Sequence, residues 1–280
     1  MTAPRVLVLG ATGKTGSRVA SGLVARGLAV RTASRGDAPG DHVRFDWADP
    51  GTHDAALAGV TRAYLVAPAL VDDPARLMLP FVTRALERGV RRLVLLGSSA
   101  VPDGAPGLGT VARALREQAP EWAVLRPSWF MQNFVDPHHG HGASLLRDGE
   151  IVTSTGDGRV GFVDVADIAA VGVHALADER SHDAAHVITG PEALSHDEVA
   201  QIAGHALGRP VRHVRVDDET ARRRLVDLGM PRAYAELLVG LDVAIRGGAE
   251  ARVTDTVERI TGRPPRSFAA FMTAWQAARG

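Results

Sequence analysis

The sequence predicts an α/β fold: a doubly wound parallel sheet followed by a small, mostly helical C-terminal lobe. Short apolar runs alternate with helical patterns through the first half of the chain, and glycines stand where helices should end. Continuously apolar strands separated by helices indicate a parallel sheet covered on both faces, and right-handed crossovers then produce the doubly wound order. The predicted strands are Val6–Leu9, Ala29–Thr32, Val43–Phe45, Ala63–Ala67, Leu93–Leu96 and Trp122–Leu125.

Helical patterns fill most of the gaps between these strands. Gly27 and Gly89 follow two of the patterns, at positions where helices commonly end in a left-handed residue. The predicted helices are Lys14–Arg26, Thr52–Leu57, Pro74–Arg88 and Gly109–Gln118.

The second half of the chain is less regular. The stretch Gly149–Val163 predicts a β-hairpin with its turn at Thr155–Arg159. We expect a helix at Val163–Leu176 and a further strand at Ala185–Gly190. The run Ser195–Glu198 resembles a capping box and begins a mostly helical remainder.

These patterns divide the chain into two parts. Residues 1–131 should form the sheet domain, with late strands and a helix contributed by residues 151–190. Residues 132–150 and 191–280 should form the small lobe. A chain of 280 residues is long enough for this arrangement.

Composition excludes several classes of protein. The 32 basic and 32 acidic residues balance, so no nucleic-acid or membrane-surface partner is expected. Without cysteine there is neither a disulfide framework nor a thiolate metal site. We see no signal-peptide layout and no membrane-spanning apolar stretch, and we predict a cytoplasmic protein. Lys14 is the only lysine, so any mechanism that needs one must use it.

Three glycines follow the first predicted strand in the spacing Gly10-x-x-Gly13-x-x-Gly16. The neighbouring Gly-Lys-Thr also resembles part of a triphosphate-binding loop, but that loop needs a glycine where this chain has Val8. The glycine spacing instead suits a dinucleotide. Gly10 permits a tight turn, Gly13 lets the backbone approach the pyrophosphate, and Gly16 allows close helix packing. The helix N-terminus supplies N–H donors for the anion.

The end of the second strand indicates which dinucleotide binds. An acidic residue commonly contacts the ribose there in NAD enzymes, but this chain has Ser34 and Arg35. Both could bind a 2′-phosphate, and Lys14 could add a second positive charge. We therefore predict NADP(H), with NADPH preferred over NADH, although Arg35 and Lys14 could also be ordinary surface cations. Asp46 could bind the adenine amino group or cap a helix.

In an open parallel sheet, the reacting end of the cofactor lies beyond the carboxyl ends of the strands. Ala67 and Pro68 follow one such strand and should flank the central ribose. Ser98 and Ser99 follow the next strand, where a hydroxyl could reach a substrate oxygen or nitrogen. We expect Ser98 to contact the cofactor as well.

The run Trp129, Phe130 and Met131 follows the last strand of the first half. These side chains could form an apolar wall beside the nicotinamide and bind substrate. They could equally be core packing at the junction with the lobe.

A familiar proton donor is missing from the sequence. Common short-chain reductases use a tyrosine followed four residues later by a lysine. Neither Tyr64 nor Tyr234 precedes a lysine, so this pair cannot exist. Turnover must use another acid, water, or a substrate such as an iminium ion that needs no enzyme acid.

The segment "DPHHGHG" offers histidines suited to proton transfer near neutral pH. His138 or His139 could serve as the acid. A metal site from Asp136 and the imidazoles is conceivable, but the spacing matches no familiar ligand pattern, and we predict none. The segment could also be a flexible, exposed loop.

Several stretches together resemble a known family. They are "GATGKTGSRV", "RFDWADP", "LRPSWFMQNF", "TGDGRVGFVDVADIAAV", "TGPEALSHDEVAQIAGHALGRPV" and "RVTDTVERITGRPPRSF". The chain is similar through nearly its whole length to the NmrA-like atypical short-chain dehydrogenase/reductases. Within them it most resembles the subgroup of ergot-alkaloid (festuclavine and agroclavine dehydrogenase-like) reductases.

The resemblance implies a Rossmann-type NAD(P)-binding domain with a small substrate lobe. Family members include NADPH-dependent imine, quinone and dye reductases, and NADP-binding redox sensors without turnover. Many relatives carry a histidine where this chain has Ala112, so no proton donor is inherited from that helix. The residues that match family positions are Gly10, Thr12, Gly13, Thr15 and Gly16 in the glycine loop, Arg35 at the phosphate, and Trp129, Phe130 and Met131 at the substrate.

The leading hypothesis is an NADPH-dependent reductase that transfers hydride to an imine, iminium, enal or quinone-like small molecule. The alternative is a non-catalytic NADP(H)-binding regulator that reports redox state. An epimerase or dehydratase ranks last, because no acid–base pair is identifiable. A small-molecule substrate is the expected partner, and a homodimer stays open.

Overall fold

The computed structural model describes residues 4–279. The strands are β1 (Arg5–Leu9), β2 (Ala29–Ser34), β3 (His42–Arg44), β4 (Arg62–Val66), β5 (Arg92–Leu96), β6 (Glu121–Pro127), β7 (Glu150–Thr153), β8 (Arg159–Val160), β9 (Ala184–Ile188), β10 (Leu194–Ser195) and β11 (Arg212–Arg215). The helices are α1 (Gly16–Ala25), α2 (His53–Leu57), α3 (Ala75–Glu87), α4 (Leu108–Gln118), α5 (Gly140–Asp148), α6 (Val165–Ala177), α7 (His196–Leu207), α8 (Asp218–Asp227), α9 (Arg232–Arg246), α10 (Thr256–Thr261) and α11 (Phe268–Ala277). Short 3₁₀ helices occupy Pro50–Thr52 and Met131–Phe134.

A seven-stranded sheet in the order β3-β2-β1-β4-β5-β6-β9 organises the first part of the chain. Strands β1 to β6 pair in parallel. The strand order reverses between β1 and β4, which is the switch point where open α/β sheets bind ligands. The Rossmann-type prediction is confirmed, and each predicted strand of the first half is present within two residues of its expected ends.

The predicted hairpin at Gly149–Val163 is wrong. Strand β7 pairs in parallel with β11, and β8 pairs antiparallel with β10. A turn does form in the middle, where Gly158 N donates to Thr155 O at 3.0 Å. The local pattern therefore identified the turn correctly, but the partner strands come from much later in the chain.

The chain forms two compact units. The first unit runs up to Pro127 and includes Ala166–Val187; the second contains Ser128–Val165 and the chain from Ile188 onward. The division differs from the expected one at residues 128–131, 151–165 and 188–190. Residues 151–165 belong to the second unit because β7 and β8 pair with strands of that unit, and Met131 packs in the core of that unit.

Each unit has its own apolar core. In the first unit, one face of the sheet packs on α3 and α4 through residues such as Leu65, Phe81 and Leu115. In the second unit, Phe134, Phe162 and Phe268 pack edge to face, with ring centroids 5.2–5.9 Å apart. Among residues 4–279, no helix has both the length and the apolar composition that a membrane crossing requires.

A buried arginine joins the sheet of the first unit to the end of α6. The side chain of Arg92 is 1% exposed, and its Nε donates to Glu121 Oε2 at 2.6 Å. Its guanidinium also donates to the carbonyls of Asp178 (2.6 Å) and Glu179 (3.2 Å). The cation thus satisfies carbonyl groups that the helix end leaves unpaired.

We expect Arg92→Met to lower the free energy of unfolding by about 3–5 kcal/mol, because it leaves Glu121 and several carbonyls without a partner. The matched control is Arg91→Met, since Arg91 is the exposed neighbour and its change should cost less than about 0.5 kcal/mol. Urea denaturation of both variants measures the difference. Equal losses would show that Arg92 contributes no more than an exposed arginine.

Candidate cofactor site

The glycine turn joins β1 to α1 in the first unit. Gly10 has φ +63°, a left-handed conformation that a residue with a side chain rarely adopts. Gly13 N donates to Gly10 O at 2.8 Å and closes the turn. A Cβ atom on Gly16 would lie 2.3 Å from Gly10 O, so only glycine fits there. The roles predicted for Gly10 and Gly16 thus agree with the geometry.

The start of α1 is built to receive an anion. Thr15 is the N-cap residue, but its side chain makes no capping hydrogen bond, and the first turn contains no acidic residue. Gly13 is exposed, and a Cβ on it would make a tight contact of 3.1 Å with Gly10 O inside the turn. The positive end of the helix dipole is therefore not compensated by a side chain. A pyrophosphate group fits this cradle, with Thr12 exposed on it and Lys14 half-buried beside it.

The end of β2 carries no carboxylate. Arg35 is exposed and, within residues 4–279, forms no ion pair. The hydroxyl of Ser34 donates to Gly36 O at 2.9 Å, so it orders the loop that follows β2. The Ser34 hydroxyl can therefore donate to a phosphate only if it gives up its hydrogen bond to Gly36 O.

Two neighbours of Ser34 were missed by sequence reasoning. His42 Nε2 lies 2.8 Å from Gly36 O and its Nδ1 lies 2.9 Å from Thr32 Oγ1. Arg44 pairs in register with Ser34 across the β2–β3 ladder, so both side chains project from the same face of the sheet. Arg44 is exposed and, like Arg35, has no carboxylate partner in the described part of the chain. In the sequence, His42 and Arg44 could be noticed only because polar and apolar residues alternate in "HVRF", as they do in a strand with one polar face.

Asp46 follows β3 and orders the backbone there. Its Oδ1 accepts a hydrogen bond from Ala48 N at 3.0 Å, which is a turn-capping role. The adjacent Trp47 donates from Nε1 to Val66 O at 3.1 Å. The contact between Asp46 and Ala48 lies within a turn and does not cap a helix, since Asp49 caps the 3₁₀ helix at Pro50–Thr52. The contact of Asp46 with the adenine stays a prediction.

Ala67 and Pro68 follow β4, as predicted, and are half-buried. The same loop contains Leu70, whose φ is +58° and whose side chain is 62% exposed. A leucine in this conformation stores strain. The loop after β4 therefore has a strained backbone conformation at Leu70, beside the expected ribose position.

We expect Leu70→Gly to raise the free energy of unfolding by about 0.5–1 kcal/mol, because the strain relieved exceeds the backbone entropy that glycine adds to the unfolded state. Leu228→Gly is the matched control: Leu228 is 63% exposed but has an ordinary φ of −77°. That change should lower stability by about 0.5–1 kcal/mol. Chemical denaturation gives both values, and a loss in both variants would contradict the assignment of strain.

The loop after β5 carries the two predicted serines. Ser98 is half-buried, and its Oγ accepts from Ala100 N at 3.2 Å. Ser99 is buried, and its backbone N donates to Pro127 O at 3.0 Å. Arg126 donates to the carbonyls of Ser98, Ser99 and Val101 and holds this loop in place. Ser98 is therefore the better placed hydroxyl for a ligand, and burial argues against Ser99 as a substrate contact.

The run Trp129 to Met131 opens the second unit. Met131 is 1% exposed and lies in the apolar core of that unit. The core-packing interpretation is therefore correct for Met131, and burial argues against its predicted place in an apolar wall beside the nicotinamide. Trp129 and Phe130 are half-buried. The backbone of this run is held by Val163, whose N donates to Trp129 O at 2.9 Å.

The histidine segment forms the entry to α5. His138 is exposed, and Asp136 Oδ1 accepts from its backbone N at 2.9 Å. His139 caps α5, with its Nδ1 accepting from His141 N at 3.3 Å. His141 stacks on Phe134, and burial holds its pKa well below the ordinary value. Across residues 4–279, no group of three or more suitable side chains could hold a metal ion.

A buried polar chain in the second unit was also missed. His196 Nδ1 lies 3.0 Å from Thr155 Oγ1, which lies 2.7 Å from Thr153 Oγ1. Thr153 in turn lies 2.7 Å from His213 Nε2, and His213 Nδ1 is 3.4 Å from Asp197 Oδ1. This row of polar side chains connects β7, α7 and β11. These elements are far apart in the sequence, so no local pattern could reveal the contacts.

Burial shifts the pKa values of these histidines. It lowers the pKa of His196 to about 3, helped by the nearby His213. The pKa of His213 is also lowered by burial, against the opposing effect of Asp197. Both imidazoles are therefore neutral near pH 7 and act as hydrogen-bonding groups rather than cations.

Of the two tyrosines, Tyr64 is fully buried, and burial raises the pKa of its hydroxyl well above the ordinary value. Because Tyr64 is fully buried, its hydroxyl is not accessible to a substrate. Tyr234 lies on α9 in the second unit. Neither tyrosine is followed by a lysine, so the structure contains no tyrosine–lysine pair.

A glycine turn between a parallel strand and an uncapped helix, beside the switch point of the sheet, defines a dinucleotide-binding protein. The chain belongs to the NAD(P)H-binding family, whose model matches residues 10–179. It is an NAD(P)H-dependent oxidoreductase.

The relatives confirm the resemblance to the NmrA-like reductases. The chain is 44% identical to an uncharacterized oxidoreductase, YesF, of Bacillus subtilis (strain 168), over 96% of this chain and 94% of that one. It is 34% identical to an agroclavine dehydrogenase of Claviceps fusiformis, over 96% of each chain. The solved structure of a Citrobacter sp. triphenylmethane reductase with NADP(H) has the same fold, with TM-score 0.82, 23% identity, and coverage of 97% of this chain and 99% of that one.

Proposed function

We propose that the chain is an NADPH-dependent reductase that passes hydride to an electrophilic small molecule, of the imine, iminium, enal or quinone type. The observation that carries the choice of NADPH is the end of β2, where Arg35 and the neighbouring Arg44 are exposed cations and no carboxylate is present. Two guanidinium groups favour a 2′-phosphate, and an NADH ribose gains nothing from them.

The residues of this chain bind and orient the cofactor. The glycine turn and the start of α1 would hold the pyrophosphate, with Thr12, Gly13, Lys14 and Thr15 around it. Ala67 and Pro68 would flank the central ribose, and Asp46 would border the adenine. When bound, the cofactor supplies the hydride. The remaining contribution is orientation and exclusion of water, worth several kcal/mol in a well-aligned complex.

Proton supply differs from that of tyrosine–lysine reductases. Ser98 offers a hydroxyl that can hydrogen-bond a substrate heteroatom, but it is too weak an acid to act alone. His138, being exposed, could exchange protons with water. Iminium and quinone-type substrates suit this arrangement, because neither needs a strong enzyme acid at the hydride step.

Trp129 and Phe130 stay proposed substrate contacts. A cytoplasmic location also stays a prediction.

The test is NADPH consumption against a panel of imines, quinones and enals. We expect turnover of at least one class, with Ser98→Ala lowering kcat about tenfold while the Kd for NADPH changes less than twofold. Ser21→Ala is the matched control, since Ser21 is an exposed serine on α1 outside the glycine turn, and it should leave kcat unchanged. If no class is consumed, the reductase proposal fails.

The alternative is an NADP(H)-binding redox sensor, favoured by the absent tyrosine–lysine pair. It predicts a strong preference between NADP⁺ and NADPH without consumption of either. Calorimetric titration with both forms, run beside the consumption assay, separates the two functions. A homodimer is compatible with either function and is tested by light scattering.

A further inference from the structure

The first unit contains a cavity of about 280 Å³ between α4 and β6, which shares Ser98 with the site proposed for the reduction but none of the glycine-turn residues. One face of the helix and one face of the strand form its walls. The residues relevant here are Leu108, Ala112 and Arg116 on or beside α4, and Trp122, Val124 and Arg126 on β6.

The cavity extends along the strand and away from the proposed cofactor. Arg126 lies near the carboxyl end of β6 and Trp122 near its amino end, about 13 Å apart at the usual rise per residue. None of the glycine-turn residues lines the cavity, and Ser98 is its contact with the candidate site. A ligand in the cavity would therefore lie beside a dinucleotide bound at the carboxyl edge of the sheet.

The part of the cavity between Ala112 and Val124 is apolar and includes one aromatic ring, whereas Asp103, the acidic residue of the lining, is paired with Arg116. Val124 is buried, and the half-buried indole of Trp122 faces the same cavity. On the helix side, Ala112 presents only a methyl group, which leaves the space open. A flat aromatic ring suits such walls, because it buries apolar area and can pack against the indole.

Arg126 provides a positive charge at one end of the cavity. Its Nε and Nη2 donate to the carbonyls of Ser98 (3.4 Å), Ser99 (3.2 Å) and Val101 (3.0 Å). Among residues 4–279, no carboxylate pairs with Arg126 and no hydrogen bond occupies its Nη1. Arg116 at the rim is paired with Asp103. Arg126 is thus the cation left to receive an anionic ligand.

We propose that this cavity binds a small aryl carboxylate, with the ring between Ala112 and Val124 and the carboxylate on Nη1 of Arg126. The volume suits one or two fused rings. Because the same guanidinium holds the loop Ser98–Val101, a bound carboxylate is coupled to the position of Ser98. Binding itself does not depend on turnover.

The test is calorimetric titration with 2-naphthoate, in the absence and presence of saturating NADPH. We expect saturable binding with a Kd of about 0.1–1 mM, in both conditions, and at least tenfold weaker binding of 2-naphthamide. Ala112→Phe should fill the cavity and abolish naphthoate binding, while the Kd for NADPH stays within about twofold. Arg126→Met should remove the preference for carboxylate over amide.

Arg113→Met is the matched control, since Arg113 is an exposed neighbour on α4 that does not line the cavity. It should leave naphthoate binding unchanged. The proposal is overturned by absent binding up to about 10 mM, by equal affinity for the amide, or by competition between naphthoate and NADPH. Unchanged binding in a folded Ala112→Phe or Arg126→Met variant would also overturn it.

Discussion

Arg35→Asp should raise the Kd for NADPH about 100-fold or more and change the Kd for NADH by less than about threefold. The substitution removes a cation that has no ion-pair partner among residues 4–279 and places a negative charge at the proposed position of the 2′-phosphate. The 100-fold change corresponds to about 2.7 kcal/mol, within the range for one partner of a charge-assisted pair. NADH has no 2′-phosphate, and an aspartate there can accept from its ribose hydroxyls.

Fluorescence or calorimetric titration with both cofactors measures this change in preference. Arg180→Asp is the matched control, because Arg180 is exposed on the same unit and makes no ion pair with a described residue. It should change the Kd for each cofactor by less than about twofold. The comparison therefore separates the effect of a local contact from the effect of net charge. Arg44→Asp should weaken NADPH binding about tenfold if the second guanidinium shares the phosphate. Equal responses of NADPH and NADH to Arg35→Asp would refute the phosphate assignment.

The free energy of unfolding should fall by about 2 kcal/mol or more between pH 7 and pH 5 because of the buried histidines. His196 is 2% exposed, and burial lowers its pKa to about 3 in the folded chain. Its unfolded pKa is near 6.5, so below that pH the unfolded state binds the proton more tightly. Stability is therefore complete above about pH 6.5 and is lost as the pH falls toward 3.

The surroundings of His196 reinforce this direction. His141 and His213 also have lowered pKa values, so their protonation also favours unfolding. Asp242 has a pKa raised by burial, which opposes the effect at the acidic end. The groups that contact His196 or lie next to it are Thr155, Phe134, Phe162, His141, His213 and Asp197.

Urea denaturation at several pH values, on the wild type and two variants, tests this assignment. His196→Phe should remove about 2 kcal/mol of the loss between pH 7 and pH 5. His205→Phe is the matched control, since His205 lies on the same helix but is exposed, and it should leave the pH dependence unchanged. A parallel pH dependence in wild type and His196→Phe would assign acid sensitivity to other groups.

Local patterns in the sequence predicted the features whose partners lie close along the chain. The turn at Gly10 and the close packing at Gly16 follow from spacing within seven residues. The capping box is confirmed, because Ser195 Oγ accepts from Glu198 N and Glu198 Oε2 accepts from Ser195 N. In both cases the backbone geometry is decided by neighbours a few positions apart.

Features that depend on distant partners were missed or misjudged. Arg44 stands opposite Ser34 only because β3 pairs in parallel with β2. Met131 looked like a substrate contact, but packing within the second unit buries it. The pairing of β7 with β11 brings Thr153 to His213, and neither residue carries a local sign of that contact.

The sequence by itself determined a dinucleotide-binding α/β fold, the glycine turn, the absence of an acidic residue after β2 and the absence of a tyrosine–lysine pair. Each of these depends on residue type and short spacing. Only the tertiary structure decided the division into two units, the buried histidine chain and the cavity beside α4. Those depend on which distant surfaces exclude water together, and burial of that kind is a property of the folded chain as a whole.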